Sequence, residues 1–318
     1  MKKAIALLAS CLMAGTVGAA AAAADFPAKD IDLIVPFAPG GGVDTTSRII
    51  VETANTLIEG AELNVVNRAG GGGVVGQTFA SKAAPDGYTV LAMTSSVVTN
   101  PKLKGASYSI DDFLPVGLYN LDPSVIVVPA SSPFETADQF IAAAKQAPLN
   151  IVIAGIGTSH HMGGLAIQQV TDAQFNYIPT KGFGQQLQAV LGGHADGALW
   201  PLGEAANHAK TGSVRILAIA SDARDEAFPD VPTYQEAGID IEIWATFRGW
   251  SVPKGTPDDV VAMLSGLLQK TYESPAYKKK MSEAGYKPVF RDAQSFQQII
   301  DGYAVLTSNI IEESGLAK

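Results

Sequence analysis

Short apolar runs rich in β-branched residues alternate along the chain with stretches whose apolar positions recur at helical spacing. Ile31–Phe37 reads as a buried strand, Pro39-Gly40-Gly41-Gly42 ends it, and Val43–Ile58 has helical periodicity through Ile49, Ile50 and Leu57. Leu63–Asn67 predicts a second strand, followed by Gly70–Gly73 and a helix through Ala84. After the Pro85-Asp86-Gly87 turn, Tyr88–Met93 predicts a third. Three β-loop-α units in succession imply a parallel sheet with helices on both faces. A second series follows: strands at Val125–Val128, Ile151–Ala154, Phe175–Ile178, Ala198–Trp200 and Val214–Ala220, with helices at Thr136–Lys145, Met162–Val170, Gln185–Leu191 and Glu204–Lys210. Ile239–Trp250 is a long extended run, and the tail is helical at Asp258–Glu273, Ala276–Ala284 and Ser295–Glu313. Two α/β sheets imply two lobes, and ligands usually occupy the cleft at the carboxyl ends of parallel strands.

The first 24 residues break this pattern. Met1-Lys2-Lys3 is followed by an uncharged apolar run, Ala4–Ala24, that ends in a small-residue cleavage motif before Asp25. It reads as a secretory signal peptide cleaved near Ala24, with an uncleaved anchor as the competing reading. Leu8-Ala9-Ser10-Cys11 also fits a lipoprotein box with Cys11 lipidated, the lesser alternative. Cys11 is the single cysteine of 318 residues, so no internal disulfide and no cysteine-based zinc site can form. With 22 Lys and Arg against 31 Asp and Glu, the formal charge is −9, which excludes a protein that coats nucleic acid. It does not exclude an anionic small molecule, because local donors overrule net charge. No nucleic acid, no cofactor and no metal is expected, and the exported protein is expected to be a monomer.

Three loops carry possible chemistry. Phe37-Ala38-Pro39-Gly40-Gly41-Gly42-Val43-Asp44 joins the first strand to its helix. Its glycines let a ligand approach the backbone, the helix start offers N–H groups to an anion, and Asp44 is placed to cap the helix. A tight turn without ligand fits the same residues. Arg68 to Gly76 contains G-x-G-x-x-G as Gly71, Gly73 and Gly76, but Thr94-Ser95-Ser96 stands where a dinucleotide site wants an acid, so nucleotide binding is disfavoured. Arg68 reads as a structural partner of a carboxylate rather than a cleft residue. Gly155-Ile156-Gly157-Thr158-Ser159-His160-His161 repeats the first loop's logic in the second series. No G-x-S-x-G accompanies Ser159, and His160, His161, His194 and His208 lack metal-ligand spacing. No catalytic residue is assigned and no enzyme is expected.

The ordered set Ile34-Val35-Pro36-Phe37-Ala38-Pro39-Gly40-Gly41-Gly42-Val43-Asp44, Asn67-Arg68-Ala69-Gly70-Gly71, Ala84-Pro85-Asp86-Gly87-Tyr88-Thr89, Gly157-Thr158-Ser159 with His161, Leu191-Gly192-Gly193, Pro229-Asp230-Val231-Pro232-Thr233, Glu236-Ala237-Gly238 and Pro253-Lys254-Gly255-Thr256-Pro257 resembles one family. It is similar to the substrate-binding proteins of tripartite tricarboxylate transporters, the Bug family of bacterial periplasmic binding proteins, from about Asp25 to the C-terminus. The resemblance implies a two-lobe periplasmic-binding-protein (Venus-flytrap) α/β fold, each lobe a mostly parallel sheet flanked by helices. Lobe 1 is expected to comprise 25–123 and 251–318 and lobe 2 to comprise 124–250, with crossing strands near 124–130 and 242–251. The resemblance also implies a carboxylate held by Phe37 to Asp44 and by Gly157 to His161, with hydroxyls from Thr94 and Ser95.

Two positions depart from the common pattern. Trp200 stands where many members place an acid that meets a ligand's ammonium group, which argues against an amino-acid ligand. An indole there either covers a planar ligand body or simply packs. Arg248, in the second crossing strand, replaces an apolar residue and offers a paired-donor fork to a second carboxylate. Lys181 matches the family's turn only in part and is a weaker candidate for anion contact. The expected function is a periplasmic receptor that captures a di- or tricarboxylate such as citrate and delivers it to the integral membrane subunits of a tripartite tricarboxylate transporter. A carboxylate sensor acting through a signalling partner, or a receptor for an aromatic carboxylate, are the alternatives.

Overall fold

The computed structural model describes residues 26–241 and 244–316. The expected signal segment, Cys11 and Glu242 of the expected second crossing strand lie outside the described residues. Ten strands appear among the described residues: β1 Ile31–Val35, β2 Leu63–Asn67, β3 Thr89–Thr94, β4 Phe113–Pro129, β5 Leu149–Ile153, β6 Phe175–Pro179, β7 Gly197–Pro201, β8 Val214–Ile219, β9 Ala245–Pro253 and β10 Pro288–Asp292. The helices are α1 Gly42–Ala54, α2 Val74–Ser81, α3 Ser96–Lys104, α4 Ala137–Gln146, α5 Ser159–Thr171, α6 Phe183–Leu191, α7 Leu202–Lys210, α8 Asp258–Glu273, α9 Pro275–Glu283 and α10 Ala293–Glu313. None is long and apolar enough to cross a membrane.

The strands run β2-β1-β3-β9-β4-β7-β5-β6, with β10 and β8 also paired to β4. β1, β2 and β3 are parallel, as are β5, β6 and β7, because each is joined to the next through a helix. β9 is antiparallel to both β3 and β4, so the middle of the molecule is antiparallel. β4 is the element common to both halves. Its residues Phe113 to Pro123 pair with β9, and Ser124 onward pair with β7 and β8. β9 pairs within the first half only, and the backbone continues to it from Trp244, whose carbonyl accepts from Ser124 N–H at 2.8 Å.

Two elements were given no bounds by the sequence pattern. α3 is low in amphipathic contrast and carries Pro101, so its polar residues Ser96, Thr99 and Asn100 are buried without an apolar stripe to announce them. β10 is short, polar at its end and irregular in register, a rim strand on β4. Apolar side chains fill three clusters. Ile31, Leu33, Leu63, Trp250 and Leu264 pack the first half, and Val125, Val152, Val190, Trp200 and Ile216 pack the second. A third cluster joins the two along α10, where Phe296, Ile300 and Ile310 meet Phe247 and Trp244.

Candidate functional site

β1 and β5 end on the same side of the molecule, and the loops that follow them face each other. α1 starts at Gly42 in the first half and α5 starts at Ser159 in the second; α6 starts beside them at Phe183. No side chain caps any of the three from its N-cap position. Their first turns therefore leave N–H groups available to an acceptor in the cleft, apart from that of Gly42, which Glu204 takes. Between them lies a cavity of about 50 Å³, lined by Phe37, Gly42, Thr94, Thr158, His160, Phe183, Glu204 and Arg248 among others. It has room for a small molecule rather than a single water.

The walls are braced across the two halves. Gly42 N–H donates to Glu204 Oε1 at 2.8 Å, and Thr99 Oγ1 donates to the Gly157 carbonyl. At the glycine-rich loop, a β-carbon on Gly155 would stand 3.1 Å from Gly72 Cα, so two backbones touch where only glycine permits it. That contact gives Gly71-Gly72-Gly73 a packing role. Gly76 likewise has no room for a side chain, with Pro36 Cα 2.8 Å from where a β-carbon would be. Arg68 lies with its guanidinium carbon 3.7 Å above the Phe79 ring, a cation–π contact in place of the expected carboxylate partner.

The floor of the cavity is charged and buried. The register sets Arg248 of β9 against Thr94 of β3 on one side and Asn120 of β4 on the other. Its Nη1 donates to Asn120 Oδ1 and, at 2.8 Å, to Asp122 Oδ2; Glu204 Oε1 lies 3.7 Å from Nη2. Asp122 Oδ1 also accepts from Gly203 N–H at 3.0 Å, which ties β4 to the start of α7. Burial raises the carboxyl pKa of both Asp122 and Glu204, and the Arg248 charge opposes that rise. Burial would lower the Arg248 pKa, but the two carboxylates and Tyr286 outweigh it, so the guanidinium stays charged. His160 stands 3.9 Å from Glu204 Oε2 through its Nε2, and burial pushes its pKa down to about 4.

The structure brings ten of the sequence-derived candidates to the cavity: Phe37, Ala38, Gly41, Gly42, Val43, Thr94, Thr158, Ser159, His160 and Arg248. The others stand behind or beside it. Asp44 is in the first turn of α1 rather than at its cap. It accepts from Gly40 N–H and Arg48, whose bonds outweigh burial and hold its pKa below the ordinary carboxyl value. Pro39 and Gly40 shape that loop. Ser95 Oγ accepts from Phe247 N–H at 3.2 Å, and Gly157 N–H donates to His161 Nδ1. Lys181 is exposed. Trp200 is fully buried under Phe183 and donates its Nε1–H to Gln186 Oε1 at 3.1 Å, so it supports the wall instead of covering the cavity.

Sequence reasoning missed Glu204 and Gln186, and with them Ser96, Ala154, Gly182, Phe183 and Thr246. Glu204 had a readable signal: it is an acid in the first turn of a helix that directly follows a fully buried strand. It also bears on the argument drawn from Trp200, because an acid is present in the cavity after all, four residues further on. Gln186 had no such signal, since its role depends on Trp200 and His160 reaching it from separate elements.

Residues 49–316 match the family profile described as the tripartite tricarboxylate transporter family receptor, TctC. Protein BugT of Bordetella pertussis is 29% identical over 99% of this chain and 98% of its own length. The solved periplasmic binding protein BugD is 26% identical with a TM-score of 0.86, covering 92% of this chain and all of that one. MatC from Rhodopseudomonas palustris, solved with bound malate, is 27% identical with a TM-score of 0.82 over 90% of this chain and 100% of that one. The profile match takes in both halves and every element that lines the cavity from Thr94 onward, and the chain belongs to the tripartite tricarboxylate transporter receptor family, TctC, whose solved relatives include periplasmic solute-binding proteins.

Proposed function

We propose that this protein is an exported receptor that closes its two halves on a small carboxylate and passes it to the membrane subunits of a tripartite tricarboxylate transporter. One observation carries the reading. The starts of α5 and α6, and that of α1 beyond the Gly42 N–H that Glu204 takes, converge on a cavity beside Arg248, a donor array suited to a carboxylate. Binding proceeds by closure, which excludes water and strengthens each charge-assisted bond. No nucleophile with an adjacent base serves the cavity, so the reading is capture without turnover. The malate held by MatC supports the ligand class.

Two features narrow the expectation of a citrate-like acid. Arg248 already faces two buried carboxylates, so each further carboxyl group brought to it meets repulsion. The cavity is also small. One or two carboxyl groups fit this balance better than three.

The test is a thermal-shift panel on protein purified from the periplasm, then unfolded and refolded to strip carried-over ligand. The panel contains citrate, succinate, malate, adipate, glutamate and nicotinate. Ligand at about 100 times its dissociation constant adds about 2.7 kcal/mol, a rise of several degrees at this size. A rise with a mono- or dicarboxylate supports the proposal, and no rise with any carboxylate refutes it.

A further inference from the structure

Glu204 reaches out of the second half, from the first turn of α7, to the start of α1 in the first half. Its Oε1 accepts from Gly42 N–H at 2.8 Å and lies 3.7 Å from Arg248 Nη2. A ligand carboxylate would seek both donors, the first N–H of a helix and an arginine fork. The other nitrogen of that fork is taken as well, because Arg248 Nη1 donates to Asn120 and Asp122. No slack remains at this corner: a β-carbon on Gly42 would already stand 2.6 Å from Glu204 Oε1. The starts of α5 and α6 stay uncapped. Arg248 is the cation among the described residues that line the cavity, and burial keeps His160 neutral, with its pKa at about 4. Phe37, Ala38, Val43 and Phe183 add apolar wall.

We propose that Glu204 is a built-in carboxylate that fills the anion place on the first half, so that the ligand brings one carboxylate, to α5 and α6, on an uncharged body. Occupancy closes that place to a second carboxyl group, and the negative charges of Glu204 and Asp122 repel it. The uncharged body lies along Phe37, Val43 and Phe183, where it displaces water from apolar surface. A receptor built this way selects acids by their number of carboxyl groups, through one side chain rather than through cavity size. The inference rests on the carboxylate reading above and narrows its one or two carboxyl groups to one.

The test pairs acids of equal chain length: butyrate with succinate, valerate with glutarate, hexanoate with adipate. Each is titrated calorimetrically into the refolded protein. In the pair that binds, the monoacid should bind about 10- to 100-fold tighter than its diacid. Glu204→Ala vacates Gly42 N–H and Arg248 Nη2 and should bring the diacid level with the monoacid or ahead of it. Glu204→Gln keeps the shape and removes the charge, so the ratio should shrink without reversing. The glutamine variant serves alone if the alanine variant does not fold, and the comparison within the unaltered chain needs neither. A diacid equal to or tighter than its monoacid in the unaltered protein overturns the inference and leaves the receptor reading intact. So does a ratio that both variants leave unchanged, which would place the selectivity in cavity size. Silence of every acid in these pairs also overturns it, and the receptor reading falls with it only when the wider thermal-shift panel is silent too.

Discussion

Gly42→Ala is the sharpest test of how the cavity is built, because neighbouring Gly41 provides its control. A β-carbon on Gly42 would stand 2.6 Å from Glu204 Oε1 and closer still to Arg248 Nη2. Neither side chain can retreat easily, since Arg248 is held from behind by Asn120 and Asp122 and both residues are buried. Overpacking of this kind costs about 1–3 kcal/mol. The methyl also loosens the bond from Gly42 N–H to Glu204, which as a charge-assisted bond is worth about 1.5–3 kcal/mol. Alanine's better helix propensity returns about 1 kcal/mol. The net expectation is a loss of about 2–4 kcal/mol, visible as a fall of several degrees in Tm. Ligand affinity should fall with it. On Gly41 the nearest atom to an added β-carbon is Phe183 Cβ at 3.6 Å, an ordinary contact, and its backbone is extended, so Gly41→Ala should cost well under half as much. Melting and titration of the two variants decide the matter. Equal behaviour of Gly41→Ala and Gly42→Ala would refute the placement of Glu204 and Arg248 against the start of α1.

Two further outcomes follow from the buried charges. Arg248→Met leaves Asp122 and Glu204 buried without a cation, at a cost of about 3–5 kcal/mol near neutral pH. Both carboxyl pKa values are raised by burial and rise further without Arg248, so acid relieves the variant. Urea midpoints should show a smaller loss at pH 5 than at pH 8, and a loss independent of pH would contradict the pairing. An imidazole titrates near 6.5 when unfolded, but His160 does so near 4 in the folded protein. The unfolded chain takes up that proton first, so His160 makes stability fall as pH drops from about 6.5 to 4; Asp122 and Glu204 act in the opposite sense. His160→Gln should shrink the fall across that window by about 2–4 kcal/mol, and an unchanged pH profile would show that His160 is not held neutral by burial.

By itself the sequence determined the alternation of strand and helix, and with it the two-part α/β architecture. Leu63–Asn67 and Asp258–Glu273 have the bounds read from periodicity, because each carries its own apolar pattern and a clear stop. The two glycine- and hydroxyl-rich loops were legible for the same local reason: a strand end, small residues and a helix start are contiguous in the chain. Tertiary structure decided what those loops face. β4 reads locally as a four-residue strand, yet it runs for seventeen residues because both halves pair with it, and only long-range pairing reveals that. Arg248 is conspicuous in sequence as a cation in an apolar strand. That it meets Asn120, Asp122 and Glu204 follows from strand order and register, which place residues more than forty positions apart side by side. Trp200 left two readings open in sequence, a ligand cover or simple packing, and it packs as a wall support, because the face of β7 it occupies is set by packing against α6. The His160–Glu204 gap is the most tertiary feature of all. It brings together α5 and α7, with Gln186 of α6 and Trp200 of β7 behind the imidazole, and no pattern along the chain encodes it.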